Sequence, residues 1–144
     1  MSPDQASPSN TPAYSFFSNR WLSAATLLVA GALQTLTFSP FHFWWLGPVS
    51  AVLILLVTIP IPANKLFLSG LLVGLGLFGS GATWVYISIS EFGNTSIPVS
   101  VLLTAAFVAV LALFPALAFW FWGKLAKNSA VRRLILFPAI WILG

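Results

Sequence analysis

The chain contains few charged residues. Of its 144 residues only 6% are Asp, Glu, Lys or Arg, whereas 59% are hydrophobic. An ordinary soluble domain carries about 25% charged residues, because its outer surface must interact with water. Two acidic and six basic residues are too few to cover a soluble domain of this length. The composition therefore predicts an integral membrane protein, with the lipid bilayer as its solvent.

Cysteine is absent and histidine occurs once. The absence of cysteine excludes a disulfide, a thiol nucleophile and a cysteine-based metal site within these residues. One histidine and two acidic residues do not form a catalytic or metal-binding set, so we expect no metal or cofactor. The basic residues are dispersed between apolar blocks rather than gathered on one face, so the net charge of +4 does not predict nucleic-acid binding.

The apolar blocks predict membrane crossings. About 20 apolar residues are needed to cross about 30 Å of hydrocarbon, and four blocks approach or reach that length. A fifth block begins near Leu134 and stops at Gly144, which is too short to span, so we expect the chain to be a fragment. Residues 1–19, rich in Pro, Ser and Asn, predict a disordered lead-in. The predicted fold is an all-α polytopic transmembrane helix bundle within residues 20–144, with spans over residues 21–38, 44–59, 66–89 and 99–122 and an incomplete fifth over residues 134–144.

The basic residues predict the orientation of the bundle. If the N-terminus is cytoplasmic, Arg20, Lys65 and the four basic residues of the 124–133 segment all lie on the cytoplasmic side. This arrangement satisfies the positive-inside rule. The loops at residues 39–45 and 91–98, which carry His42 and Glu91, are then expected on the opposite side of the membrane.

Residues 74–93, GLGLFGSGATWVYISISEFG, change abruptly from a glycine-rich apolar run to aromatic and polar side chains. The glycines, together with the G-x-x-x-G spacing of Gly70 and Gly74, predict close helix packing. They do not indicate phosphate binding, because no strand and no further nucleotide motif accompany them. The polar end of the segment places four side chains near one membrane boundary: Trp84, Tyr86, Ser88 and Glu91.

Each of these polar signals has an ordinary structural explanation. Trp84 and Tyr86 suit the aromatic belt at the headgroup level, and Glu91 suits a solvated loop carboxylate. His42 suits an interfacial imidazole, and Gln34 is expected to hydrogen-bond to a neighbouring helix. Residue types alone leave a transporter, a membrane enzyme and an assembly scaffold open. No block has a charge at its centre, which counts against a transporter.

Three segments carry a family resemblance. They are ALQTLTFSPFHFWWLGPVS at residues 32–50, the WVYISI core at residues 84–89, and FPAIWILG at residues 137–144. Together with LALFPALAFW at residues 111–120, they make residues 20–144 resemble the N-terminal membrane domain of bacterial apolipoprotein N-acyltransferase. The resemblance implies an enzyme of the bacterial inner (plasma) membrane that acts in lipoprotein maturation.

The resemblance also implies a reaction and its partners. An acyl chain passes from a phospholipid donor to the α-amino group of the diacylglyceryl cysteine of an apolipoprotein acceptor. The family's catalytic Cys, Glu and Lys belong to a nitrilase-like α/β domain that is absent from this chain. The chain is therefore expected to anchor the enzyme in the bilayer and shape a lipid portal without catalysing, with Trp84, Tyr86, Ser88 and Glu91 binding substrate. The alternative is a non-catalytic scaffold or a small transporter subunit.

Overall fold

The computed structural model describes residues 19–37, 43–93, 95–127 and 129–143, and all regular structure within these ranges is helical. The predicted all-α fold is confirmed. His42 and residues 1–18 of the expected 1–19 lead-in lie outside the described residues. The helices are α1 (Arg20–Thr35), α2 (Leu46–Thr58), α3 (Leu66–Gly81), α4 (Thr83–Ile87), α5 (Ile97–Ala126) and α6 (Ala130–Leu143), with a 3-10 turn at Ala63–Lys65 and a π-helical segment at Ser88–Phe92.

Two helical stretches of the described residues are long and apolar enough to cross a membrane. They are Ala63–Gly81, which joins the 3-10 turn to α3, and Ile97–Ala126, which is α5. Helix α2 is apolar but shorter. The total of four complete crossings and the orientation of the N-terminus remain predictions.

The helix expected over residues 66–89 is interrupted. Helix α3 ends at Gly81, Ala82 forms its C-cap, and α4 begins at Thr83. Glycine and serine are poor helix formers, and the Ser80 hydroxyl donates a hydrogen bond to the Gly76 carbonyl at 2.7 Å, which competes with regular helix geometry. Within the predicted span over residues 66–89, the polar segment therefore forms separate short elements beyond α3.

Helix α3 is central in the bundle, between α1 and α5. Three of its glycines, Gly70, Gly74 and Gly76, allow both neighbours to approach closely. A Cβ atom added at Gly74 would lie 2.8 Å from the Cα of Ala112 in α5, and one at Gly76 would clash with the carbonyl oxygen of Leu28 in α1. Such distances are too short for any side chain. The predicted use in close helix packing is confirmed for Gly70, Gly74 and Gly76, whereas a Cβ at Gly79 would have no atom within 4 Å.

Apolar and aromatic side chains connect the remaining helices. Phe119 and Trp122 of α5 contact each other edge to face, with ring centroids 5.5 Å apart. Trp122 contacts Phe137 of α6, and Phe137 stacks on Trp141, with centroid distances of 5.4 and 5.5 Å. Trp122 is fully buried. This aromatic series fixes α6 against α5, because large rings bury much apolar surface and few orientations fit.

Arg133 is a buried cation near the start of α6. Its Nη1 atom donates hydrogen bonds to the carbonyls of Thr58, Ile59 and Ile61, at 2.9, 2.8 and 2.6 Å. Its Nη2 atom donates to the carbonyl of Lys127 at 3.2 Å. Burial lowers the pKa of Arg133 from its ordinary value by desolvation, although an arginine side chain keeps its charge in proteins. Sequence analysis explained this residue only by membrane orientation, whereas the structure shows that it joins two helix ends.

The hydrogen bond expected between Gln34 and a neighbouring helix is not formed by its side-chain oxygen in the described part of the bundle. Its Oε1 atom is buried and has no hydrogen-bond partner there. It borders a small cavity of about 180 Å³ whose walls include Pro115 and Trp141. Neighbouring helices present apolar side chains to this position, so the amide oxygen finds no donor.

Candidate functional site

The polar segment beyond α3 is held by main-chain hydrogen bonds and one buried side chain. The carbonyl of Ala82 accepts hydrogen bonds from the amides of Val85 and Tyr86, at 3.0 and 3.2 Å. Val85 is buried against the bundle. Because Val85 is the anchor of this short helix, the residues on either side of it are left nearer the surface.

The four predicted site residues differ in exposure. Trp84 is 66% exposed, Ser88 and Glu91 are also exposed, and Tyr86 is half-buried. The Ser88 hydroxyl donates a hydrogen bond to the Trp84 carbonyl at 2.9 Å, so these two residues are one turn apart on the same side of the segment. The structure thus places Trp84 and Ser88 together, with Glu91 following in the next turn. Tyr86 is partly packed into the bundle.

Residues Ser88–Phe92 form a π-helix. This geometry is rare, occurs mostly as a single wide turn, and is frequent at functional sites. It carries Glu91 and the neighbouring Phe92, whose side chain is 87% exposed. Sequence analysis did not select Phe92, and its only signal was its position directly after the carboxylate. An exposed phenylalanine beside an exposed glutamate gives the segment both an apolar and an anionic contact surface.

The chemistry available to this segment is binding. Glu91 is the one carboxylate in the part of the chain that the structure describes, and no group of three His, Cys, Asp or Glu side chains that could hold a metal occurs there. A tryptophan ring and a carboxylate both attract ammonium groups. Hydroxyls such as that of Ser88 can donate or accept hydrogen bonds. The segment can therefore bind a polar headgroup.

The surface of the bundle is as apolar as its composition predicts. Large side chains of α5 are exposed, including Leu102 at 68%, Phe114 at 63% and Leu117 at 55%. Many exposed large apolar side chains on one helix are typical of contact with a membrane or with further protein. The helices and their exposed surface define the class, a helical membrane domain with a polar and aromatic segment beyond its central helix.

Comparison with known proteins gives the family. A family model described as "Apolipoprotein N-acyltransferase N-terminal domain" matches residues 30–144, which include the whole 84–92 segment. The chain belongs to this family.

Curated relatives from several bacteria support the assignment. The chain is 42% identical over 117 residues to the apolipoprotein N-acyltransferase of Methylococcus capsulatus, a match covering 81% of this chain and 23% of that protein. It is 39% identical over 125 residues to that of Coxiella burnetii, covering 85% and 26%. It is 39% identical over 130 residues to that of Photobacterium profundum, covering 90% and 25%. The chain thus spans about a quarter of the length of the relatives it matches.

Proposed function

We propose that this chain is the N-terminal membrane part of an apolipoprotein N-acyltransferase of the bacterial inner membrane. The observation that carries the proposal is the family match over residues 30–144. The function of the whole protein would be to move an acyl chain from a phospholipid to the α-amino group of the diacylglyceryl cysteine of an apolipoprotein. The chain would anchor the enzyme and shape the entrance for its two lipid substrates, with its basic loops in the cytoplasm.

The proposed reaction has two steps that this chain does not itself perform. A cysteine thiolate attacks the ester carbonyl of the phospholipid, a thioester forms, and a lysophospholipid leaves. The free amine of the acceptor then attacks the thioester, an amide forms, and the thiol is released. Because the chain contains no cysteine, the thiol that carries the acyl group is not among these residues.

The part we assign to this chain is substrate binding by Trp84, Tyr86, Ser88 and Glu91. Trp84, Ser88 and Glu91 are exposed, and their segment lies directly beyond the apolar helix α3. Donor and acceptor both remain in the bilayer while their reacting groups lie near its surface. Side chains at such a boundary can hold those groups in place, which lowers the entropic cost of reaching the reactive geometry.

The experiment uses the full-length protein that contains this chain, purified in detergent. Acyl transfer from phosphatidylethanolamine to a diacylglyceryl peptide is measured for the wild type and for Trp84→Ala, Tyr86→Ala, Ser88→Ala and Glu91→Ala. Thermal unfolding of each variant is recorded in parallel. We expect slower transfer per folded molecule with a nearly unchanged melting temperature for the three exposed positions.

Two results would contradict the proposal. Wild-type protein with no transfer activity under conditions in which a known relative is active would contradict the enzymatic function. Active protein in which all four variants transfer at the wild-type rate per folded molecule would contradict the binding role of the segment. In that case Trp84 and Tyr86 would be ordinary aromatic-belt residues.

A further inference from the structure

A groove of about 790 Å³ lies where α1 and α3 begin and where α2 ends. Its volume falls within the range of ordinary ligand pockets, about 300–1,000 Å³. The 16 residues of α3 separate its charged end, at Lys65, from the Trp84 segment, a distance of about 24 Å at 1.5 Å per residue. We propose that this groove binds one anionic phospholipid, with its phosphate between Arg20 and Lys65 and an acyl chain between α1 and α3. The proposal does not depend on acyl transfer.

Both walls of the groove have the same construction. On α1 the lining includes Arg20, Ala24 and Leu27, and on the other wall it includes Lys65 and Leu72. Positions three, four and seven residues apart lie on one face of a helix. Each wall therefore has a cation where the helix begins and apolar or small side chains along the next two turns. A cation followed by apolar surface along each wall matches the charged headgroup and the acyl chain of a lipid.

The charge at the groove is not balanced within the described residues. Arg20 and Lys65 are both exposed, and the one described carboxylate, Glu91, lies beyond the opposite end of α3. Neither α1 nor α3 has an acidic residue in its first turn. The positive ends of both helix dipoles therefore add to the two cations. A phosphate group carries the complementary charge.

The headgroup must provide the selectivity. An acyl chain has hydrocarbon around it both in the bilayer and in the groove, and lipid tails are as apolar as leucine. Transfer of the chain into the groove therefore changes the free energy little. The two cations instead favour a lipid with net negative charge over a zwitterionic one, by about fivefold for each basic residue.

The test measures lipid retention by the full-length protein. The protein is purified in detergent, incubated with equal amounts of phosphatidylglycerol and phosphatidylethanolamine of the same acyl composition, and analysed by native mass spectrometry. We expect one phosphatidylglycerol per protein to be retained preferentially. Retention should fall about fivefold in Arg20→Gln or Lys65→Gln and about 30-fold in the double variant. Ala24→Phe keeps both cations but places a ring on the α1 wall where the acyl chain would lie, so it should also reduce lipid retention.

A matched double variant controls for nonspecific attraction. The double variant Lys124→Gln, Arg132→Gln also removes one lysine and one arginine, but from exposed positions that do not line the groove. This variant should retain lipid as the wild type does. Equal loss in this control, or unchanged retention in Ala24→Phe, would overturn the proposal. Wild-type protein without lipid preference would overturn it as well. Lipid binding that appears only after deletion of residues 1–18 would show that this segment occupies the groove, and crosslinking of Leu68→Cys to a second copy would show a protein occupant.

Discussion

The guanidinium of Arg133 donates a hydrogen bond to the main-chain carbonyl of Thr58, 75 residues earlier in the chain, with Nη1 2.9 Å from the oxygen. Thr58 is the last residue of α2, and the final carbonyls of a helix have no partner within the helix. Pro60 and Pro62 follow, and proline has no N–H to donate. The Thr58 carbonyl also accepts a hydrogen bond from the Ile61 amide at 3.1 Å. Arg133 adds a charged donor at this end of α2 and places a positive charge at the negative end of the helix dipole.

Replacement of this side chain should destabilise the bundle. Arg133→Met removes donors to four buried or partly buried carbonyls. We expect a loss of about 2–4 kcal/mol in the free energy of unfolding, since hydrogen bonds to charged groups are strong and orphaned carbonyls are costly. Denaturant unfolding of the purified protein in detergent micelles measures this change. Arg132→Met is the control, because Arg132 is exposed, and it should change stability by less than about 0.5 kcal/mol. Equal effects would refute the structural role of Arg133.

The glycines of α3 allow a paired test of helix packing. A Cβ at Gly76 would clash with the Leu28 carbonyl, whereas a Cβ at Gly79 would have no atom within 4 Å. We expect Gly76→Ala to destabilise by about 1–3 kcal/mol through overpacking. Gly79→Ala should be neutral or stabilise by up to about 1 kcal/mol, because alanine is the better helix former. The measurement is the melting temperature of each variant relative to the wild type. Similar melting temperatures for the two variants would contradict the close contact between α1 and α3.

The side-chain oxygen of Gln34, which has no partner among the described residues, predicts that its removal will not reduce the stability of the bundle. Its Oε1 atom is buried without a partner among the described residues, and such an acceptor costs about 1–3 kcal/mol. Gln34→Leu keeps a similar size and removes the polar atoms, so we expect unchanged or higher stability. The measurement is the melting temperature in detergent. A marked decrease would show that Gln34 has a hydrogen-bond partner, such as a water or another part of the longer protein.

The proposed orientation can be tested by labelling from each side of the membrane. This chain has no cysteine of its own, so a cysteine introduced into it is the one thiol among these 144 residues. Asn64→Cys, beside Lys65, should react with a membrane-impermeant reagent only from the cytoplasm, and Ser96→Cys only from the opposite side. Both native residues are exposed. Labelling of both from the same side would contradict an odd number of crossings between them.

Sequence analysis predicted the helical fold because length and apolarity are local properties. It also predicted the packing role that the structure shows for Gly70, Gly74 and Gly76, because glycine lets the backbones of membrane helices approach closely. It did not predict the break at Ala82, since hydropathy continues through that point while weak helix formers interrupt the geometry. It also missed the role of Arg133, because the carbonyls that it binds are more than 70 residues away in sequence.

The candidate site was predictable in part. The abrupt change of composition after Gly81 indicated four residues, and three of them are exposed in the structure. The π-helix and the exposed Phe92 were not predictable, since no simple spacing pattern signals a π-turn. The groove lined by Arg20 and Lys65 could not be predicted from the sequence, because its lining comes from three helices whose mutual placement depends on tertiary packing.

The measurement that tests the central claim most directly is the KM for the phospholipid donor in full-length protein carrying Trp84→Ala. Trp21→Ala is its control, because Trp21 is also exposed, at 85%, and lies at the opposite end of the bundle. We predict that Trp84→Ala raises this KM about fivefold, the equivalent of about 1 kcal/mol of lost headgroup contact, while Trp21→Ala leaves it unchanged. An unchanged KM in Trp84→Ala, or an equal rise in both variants, would contradict the assignment of this segment to substrate binding.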